Sequence, residues 1–210
     1  MAEISAALVK QLRDKTGAGM MECKKALLET NGNLAEAEVV LRKRGIASAA
    51  KKATRATRQG VVGTYVHPGS QLGVMVEVNC ESDFVARTDD FQNLVHDIAM
   101  QIAATDPQFL RREDVAADVL DKEKDIARDR ARQEGKPEKI LDKIVEGRLT
   151  KFYEEVCLLE QPFIKDNTVT VQQLVQSVIG KLGENISVAR FVRMKVGETA
   201  ATQAEEAAAE

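Results

Sequence analysis

Apolar and polar residues alternate most regularly between Leu72 and Cys80, where Leu72, Val74, Val76, Val78 and Cys80 occupy every second position. This period of two predicts a strand with one buried face. Glu81, Ser82 and Asp83 end the alternation, and apolar residues then recur at helical spacing: Phe91, Leu94, Val95, Ile98 and Ile102. Thr88, Asp89 and Asp90 supply capping oxygens and acidic charge for the start of that helix. We therefore expect Asp83 and Phe84 in a tight connection between strand and helix.

A second strand is predicted over 61–66, and it leads into the turn sequence His67-Pro68-Gly69-Ser70. The two strands should form an antiparallel hairpin. Farther along, Thr170 can cap a helix that ends at Gly183. A closing strand follows, in which Arg190 interrupts the alternating apolar positions Ile186, Val188, Val192, Met194 and Val196.

The first 46 residues have the periodicity of three short helices. Gly17 and Gly19 interrupt the first pattern, Asn31-Gly32 ends the second, and Asn33 with Glu36 has the capping-box spacing for the third, which should stop before Gly45. We expect a compact bundle. Met20 and Met21 start the second helix, and spacing alone favours core positions for them over contacts with a partner.

Beyond Pro107 the chain becomes strongly charged. Two long helices are predicted, over 120–134 and 137–160, and Gly135-Lys136-Pro137 separates them. The apolar stripe on the second helix is narrow, which indicates a helical hairpin that projects from the core and not a fully buried helix.

Composition excludes several classes of function. The 210 residues are 44% apolar and 30% charged, with a formal net charge of -3, so they can form one substantial domain and a small one without a general attraction to nucleic acid or anionic membrane. No apolar run reaches the roughly 18 residues of a membrane span, and Met1 precedes a polar amphipathic helix. We expect a cytoplasmic protein that is neither exported nor bound to a membrane.

The potential ligating and nucleophilic residues are scattered. Cys23, Cys80 and Cys157 form no paired motif, His67 has no second histidine or cysteine close in sequence, and His96 lies among polar helical positions. We therefore expect no metal, no cofactor and no covalent catalysis. A glycine-rich phosphate loop is also missing from the sequence, so the protein should not bind a nucleotide itself.

One segment carries concentrated positive charge. Residues 42–58, here called the basic segment, contain seven basic residues and no acid: Arg42, Lys43, Arg44, Lys51, Lys52, Arg55 and Arg58. These charges suit either a solvated linker or a contact with RNA or the ribosome through phosphates. No aromatic residue is interleaved for base stacking, which favours the linker. An RNA- or ribosome-associated binding protein remains the alternative function.

Several motifs resemble the elongation factor Ts family, in the family's order. They are Ser-Asp-Phe-Val-Ala-Arg at 82–87, the segment from Leu12 to Leu27, Gly-Lys-Pro-Glu-Lys-Ile at 135–140 and Lys-Leu-Gly-Glu-Asn-Ile at 181–186. The resemblance covers residues 1 to about 198. It implies a guanine-nucleotide exchange factor that releases GDP from elongation factor Tu.

The resemblance also implies which residues act. The Asp-Phe loop, consisting of Ser82, Asp83, Phe84 and Val85, would disturb the Mg²⁺ site of elongation factor Tu. Spacing alone favours a Phe84 packed under its own domain, and only the resemblance favours its insertion into the partner. Six further residues match the family's docking positions: Arg13, Met20, Met21, His67, Leu182 and Gly183.

The expected fold class is α+β. A ubiquitin-associated-like three-helix bundle (1–46) and a basic linker (47–59) precede a core (60–197). The core should contain a small antiparallel sheet flanked by helices, with the hairpin at about 118–160, and a disordered tail (198–210) should follow. Longer family members carry two related half-cores, whereas this chain has one. We therefore expect a homodimer, with a monomer whose sheet edges are covered locally as the alternative.

Overall fold

The computed structural model describes residues 4–198, so the predicted tail lies outside the described residues except for Glu198. Helices and strands are mixed, which confirms the α+β class. The helices are α1 (Ala6–Thr16), α2 (Met20–Glu29), α3 (Leu34–Lys52), α4 (Asp83–Ala86), α5 (Asp89–Thr105), α6 (Ala117–Gln133), α7 (Glu138–Val156) and α8 (Val171–Leu182). The strands are β1 (Gln59–Val66), β2 (Leu72–Cys80), β3 (Pro162–Phe163), β4 (Asp166–Thr170) and β5 (Ile186–Lys195).

The described residues divide into two compact units. The first contains the chain up to Val62, Glu77–Val95 and Gln173–Ala189, and the second contains Gly63–Val76, His96–Gln172 and the chain from Arg190. This division follows three-dimensional contacts and differs from the predicted succession of bundle, linker and core. That succession stays a prediction.

The first unit contains the predicted three-helix bundle. Ser5 caps α1 by accepting a hydrogen bond from the Leu8 N–H (3.2 Å), and Asn33 caps α3 by accepting from the N–H groups of Ala35 and Glu36 (3.1 and 3.3 Å). The bundle core is made of small and medium side chains: Val9, Leu12, Cys23, Ala26, Leu27, Ala37 and Leu41.

The predicted end of α3 before Gly45 is wrong, because the helix continues to Lys52. A Cβ atom at Gly180 of α8 would lie 3.1 Å from the Gly45 Cα. The two helices therefore approach closely at a pair of glycines. This packing offsets the cost of about 1 kcal/mol for glycine inside a helix.

The sheet has the strand order β1-β2-β5, and β3 pairs with β4 in a separate antiparallel ribbon. The predicted hairpin of β1 and β2 is confirmed, and the His67 N–H donates to the Leu72 carbonyl (2.9 Å) across its turn. Every apolar position predicted for the buried side of β2 after Leu72 is buried, as are all five predicted for α5. The period-two and helical patterns therefore identified these core positions correctly.

Helices α6 and α7 form the predicted hairpin, and Ala127, Ala131, Leu141 and Val145 are buried in it. The second helix ends at Val156 and not at 160. Cys157 adopts an extended conformation and bridges to Phe109, and the Leu158 N–H donates to the Phe109 carbonyl (2.9 Å). Pairing with this distant segment ends α7 early. Between residues 4 and 198, no helix is long and apolar enough to cross a membrane.

Candidate partner-binding site

The Asp-Phe segment is a single helical turn, and not the loop that the sequence suggested. Ser82 is extended (φ -127°, ψ 155°) and caps α4, because its Oγ accepts from the Val85 N–H (3.3 Å). A serine followed by a polar residue suits a helix start. The helix extends over four residues and stops before Thr88, whose hydroxyl donates to the Val85 carbonyl (2.8 Å).

Helix α4 has one buried side and one exposed side. Val85 and Ala86 are each 5% exposed, whereas Phe84 is 77% exposed. The interpretation that Phe84 packs under its own domain is therefore wrong. The family resemblance implies a partner contact at Val85, but the Val85 side chain is buried and packs on the inner side of α4.

Asp83 lies on the exposed side with Phe84. Its carboxylate is 3.1 Å from Arg87, one helical turn along, and both side chains are mostly exposed. An exposed pair of this kind contributes little stability. The Asp83 carboxylate therefore remains available to a competing cation or hydrogen-bond donor.

A carboxylate from a distant segment holds the start of α4. The Ser82 N–H donates to one oxygen of Glu184 (3.0 Å), and the Ser82 hydroxyl donates to the other (2.7 Å). We call this pair of bonds the carboxylate clamp. Sequence analysis did not identify Glu184, since its partner is 102 residues away. The only signal was its place in the Lys-Leu-Gly-Glu-Asn-Ile motif.

A second contact runs in the opposite direction between the same segments. The Asn185 N–H donates to the Glu81 carboxylate (2.6 Å), and the Asn185 side chain donates to the Arg55 carbonyl (2.9 Å). Glu81-Ser82 and Glu184-Asn185 are therefore linked in both directions, because the glutamate of each pair accepts a hydrogen bond from a backbone N–H of the other pair. The connection before α4 is held at two consecutive residues.

Cys80 adds a neutral group beside the clamp. Burial, and then the nearby charge of Glu184, raise the pKa of the Cys80 thiol. The thiol therefore stays protonated at neutral pH and donates to the Ser82 carbonyl (3.1 Å). A protonated buried thiol at this position is structural and unreactive.

Five of the predicted docking residues lie in the first unit with α4: Arg13, Met20, Met21, Leu182 and Gly183. Both methionines are exposed, Met21 by 63%, so the core positions that spacing favoured are wrong. Gly17, between α1 and α2, has φ 68°, and a Cβ there would lie 2.5 Å from the Lys181 side chain. The side chain of Lys181, the residue before Leu182, therefore lies against this turn. Its ammonium group donates to the Asp90 carboxylate (2.6 Å).

His67 lies in the second unit, at the tip of the β1–β2 hairpin. We call residues 67–70 the histidine turn. His67 is exposed, and its Nδ1 is 3.0 Å from the Tyr65 hydroxyl. The Tyr65 ring also makes an edge contact with His96 (5.8 Å between centroids). Within the described residues, no group of three or more His, Cys, Asp or Glu side chains is placed to hold a metal ion.

The second unit also contains an exposed apolar surface that the sequence analysis missed. The Val196 N–H donates to the Gln71 carbonyl (2.9 Å) beside the hairpin pair His67–Leu72. Since opposite residues of paired strands share a face, five exposed side chains lie on one side of the sheet. We call these residues the apolar sheet face: Val66, Met75, Val192, Met194 and Val196.

Val192, Met194 and Val196, which continue the apolar alternation of the predicted closing strand beyond Arg190, are therefore exposed and not part of its buried face. Ala189 and Arg190 are both exposed, and the buried alternation of Ile186 and Val188 does not continue past them. Arg193 takes an inward position instead, where its guanidinium lies 2.7 Å from Glu198 and 3.3 Å from Asp106. The sequence signal for this change was Arg190, which interrupted the alternation.

Parts of the basic segment are neutralised within the first unit. Arg44 pairs with Glu22 (3.4 Å) and also with Glu29, and Arg55 pairs with Glu81 (3.4 Å). These contacts give the two arginines structural partners. They leave fewer cations of the segment for phosphate groups than the sequence suggested.

Comparison with known proteins gives a consistent result. A family model described as "Elongation factor TS" matches residues 47–198. The chain is 75% identical to the elongation factor Ts of Solibacter usitatus, over 94% of this chain and 93% of that protein. It is 63% identical to that of Koribacter versatilis (96% and 92%) and 58% identical to that of Desulforamulus reducens (100% and 97%). The chain therefore belongs to the elongation factor Ts family and has the role of a translation elongation factor.

Proposed function

We propose that this protein binds elongation factor Tu in its GDP-bound state and promotes release of GDP, after which GTP can bind. The observation that carries the proposal is the exposure of Phe84, which is 77%, on a helix whose next two residues are buried. A large apolar side chain on a fixed support is suited to insertion into a partner. The protein supplies no covalent chemistry of its own.

In this mechanism Phe84 inserts between elements of elongation factor Tu, and Asp83 repositions polar groups around the bound Mg²⁺. Mg²⁺ requires nearly octahedral geometry, so a small displacement of its ligands weakens nucleotide binding. The coupling is reciprocal in free energy, because a protein that lowers the affinity for GDP is itself bound less tightly when GDP is present. The exchange factor therefore dissociates when nucleotide returns.

Docking would be the role of Arg13, Met20, Met21, Leu182 and Gly183, which share the first unit with α4. Methionine adapts its shape to an irregular apolar surface, which suits two exposed methionines at the start of α2. Rupture of the exposed Asp83–Arg87 pair on binding would cost little.

The test is stopped-flow release of a fluorescent GDP from elongation factor Tu. The chain should accelerate release, and the double substitution Asp83→Ala/Phe84→Ala should abolish most of the acceleration. Ile126→Ala, which removes an exposed apolar side chain of α6, is the control. Normal acceleration by the double variant would contradict the assigned mechanism.

We also propose that two copies associate through the apolar sheet face. Met194 is 70% exposed there, and exposed apolar clusters of this kind are typical of protein interfaces. Unprotected sheet edges predicted the dimer from the sequence, whereas the exposed residues favour the face of the sheet. Family resemblance supports a second copy, because longer members carry two half-cores. One elongation factor Tu would then contact Phe84 of one subunit and His67 of the other.

Subunit mixing tests this arrangement. Chains carrying Phe84→Ala are mixed with chains carrying His67→Ala, and GDP release is measured far below half-saturation, where both single variants are slow. Heterodimers should recover part of the exchange activity because one intact site remains. Full wild-type activity from a species that light scattering shows to be monomeric would rule out the shared site. Mixed dimers that recover nothing would also rule it out.

A further inference from the structure

Phe84 can act only if α4 points in a fixed direction, and α4 is too short to fix its own direction. Four residues make one turn, so the helix contributes little cooperative stability. Its burial through Val85 and Ala86 fixes one side. Its start must be fixed separately, at Ser82.

The carboxylate clamp supplies that constraint. Glu184 accepts two hydrogen bonds from one residue, the N–H and the hydroxyl of Ser82, at 3.0 and 2.7 Å. Bonds to a charged acceptor are about twice as strong as neutral ones. Two bonds to one residue also fix its orientation and not only its position.

The clamp also leaves the capping function of Ser82 intact. The Ser82 hydroxyl donates its proton to Glu184 while its oxygen accepts from the Val85 N–H (3.3 Å). The direction of the hydroxyl is therefore set by Glu184, which links the carboxylate to the first turn of α4. Glu184 itself is fixed by its neighbour Asn185, which is buried and bonded to Glu81 and Arg55.

We propose that Glu184 is a positioning residue for nucleotide exchange, which acts through Ser82 to aim Phe84 and need not touch the partner. This inference rests on the proposed function of α4. It predicts that loss of the clamp lowers the rate of GDP release in the complex more than it lowers affinity for elongation factor Tu, because the docking residues at α2 are unchanged. A misplacement of about 1 Å can cost a large factor in rate.

The experiment uses Glu184→Ala and Glu184→Gln, with Glu113→Gln as a control because Glu113 is an exposed glutamate of the second unit. Glutamine keeps one acceptor oxygen, so its effect should be smaller than that of alanine. Hydrogen exchange of the free protein is followed for peptides that cover residues 82–88. Stopped-flow titration of elongation factor Tu separates the maximal rate of GDP release from the half-saturating concentration.

For Glu184→Ala, amide exchange in 82–88 should accelerate about tenfold while the bundle helices stay protected. The maximal rate of GDP release should fall about tenfold or more, with the half-saturating concentration within about threefold of wild type. If the alanine variant does not fold, Glu184→Gln should show the same pattern with smaller changes.

Three results would overturn the positioning role. The first two are unchanged amide exchange in 82–88, and an unchanged maximal rate when Phe84→Ala in the same assay is slow. The third is a loss of activity that comes entirely from a higher half-saturating concentration, because Glu184 would then be a docking residue. If Phe84→Ala and Glu184→Ala were both fully active, the proposed role of α4 would fail together with the positioning role.

Discussion

The two segments expected to contact elongation factor Tu are held in place by different means. Helix α4 is fixed by side chains far away in sequence, with Glu184 on Ser82 and Asn185 on Glu81. The bonds of the histidine turn itself lie within its own hairpin, from His67 to Leu72, from Ser70 to His67 and between Tyr65 and His67, and the bond from Val196 reaches only the adjacent Gln71. One segment depends on the tertiary structure of its unit, whereas the other depends on the hairpin that carries it.

We infer from this difference that the two segments have different tasks in the proposed complex. A side chain that must displace elements of a partner has to resist the reaction force, which requires support from several directions. A side chain that only adds contact area tolerates local adjustment. We therefore expect substitutions at α4 to change the rate of exchange most, and substitutions at the histidine turn to change affinity.

The largest effect is expected for Phe84→Ala. Removal of an aromatic anchor from the centre of an interface costs about 3 kcal/mol, so acceleration of GDP release should fall about 100-fold. Stability should change by less than about 0.5 kcal/mol, since the side chain is exposed. Stopped-flow release and urea unfolding measure the two quantities. A loss of stability matching the loss of activity would contradict an exposed functional residue.

Sequence patterns were sufficient where neighbouring residues determine the structure. The alternation before Cys80 and the helical spacing after Asp89 placed β2 and α5 correctly, with their buried residues. They did not predict which side chain of α4 would be buried, because a single turn has no periodicity to read. The packing of Val85 and Ala86, and not any property of Phe84, leaves Phe84 exposed.

Other features depended on residues too distant to be recognised. Gly45 resembled a helix end, but α3 continues through it and approaches Gly180 of α8 closely at that point. The apolar sheet face follows from the change of alternation at Ala189 and Arg190. Glu184 and Ser82 are an ordinary acid and an ordinary cap in sequence, and their pairing exists only in the fold.

The next largest effect is expected at the apolar sheet face. If two copies associate through this face, α4 and the histidine turn that contact one elongation factor Tu come from different subunits. Met194→Glu places a charge in the proposed interface, where an unpaired buried charge costs several kcal/mol. Association should weaken about 30-fold or more. Light scattering at several concentrations measures it. Ile164→Glu adds the same charge at an exposed isoleucine outside this face, and an equal shift in both variants would contradict the proposed interface.

A smaller effect is expected for His67→Ala. Loss of one peripheral contact and of its bond to Tyr65 should cost about 1 kcal/mol, so the half-saturating concentration in GDP release should rise about fivefold with little change in maximal rate. His96→Ala is a matched control, because His96 also contacts Tyr65 but lies on α5. Equal effects of both substitutions would show that support of Tyr65, and not the histidine turn, is responsible.

The smallest effect concerns the backbone of the histidine turn. Ser70 has φ 55°, a left-handed conformation that costs a residue with a Cβ about 1 kcal/mol or more. Ser70→Gly removes that strain but adds freedom to the unfolded chain, so the net gain in unfolding free energy should be about 0.5 kcal/mol. Gly69, at φ 93°, provides the opposite test: Gly69→Ala meets no atom within 4 Å yet should lose about 1 kcal/mol from strain alone. Urea unfolding of the two variants compares these changes.

Because the turn is fixed by local bonds, both variants should keep the maximal rate of GDP release within about twofold of wild type. A larger change in that rate would mean that the histidine turn is as demanding in its geometry as α4, and the distinction between the two segments would fail.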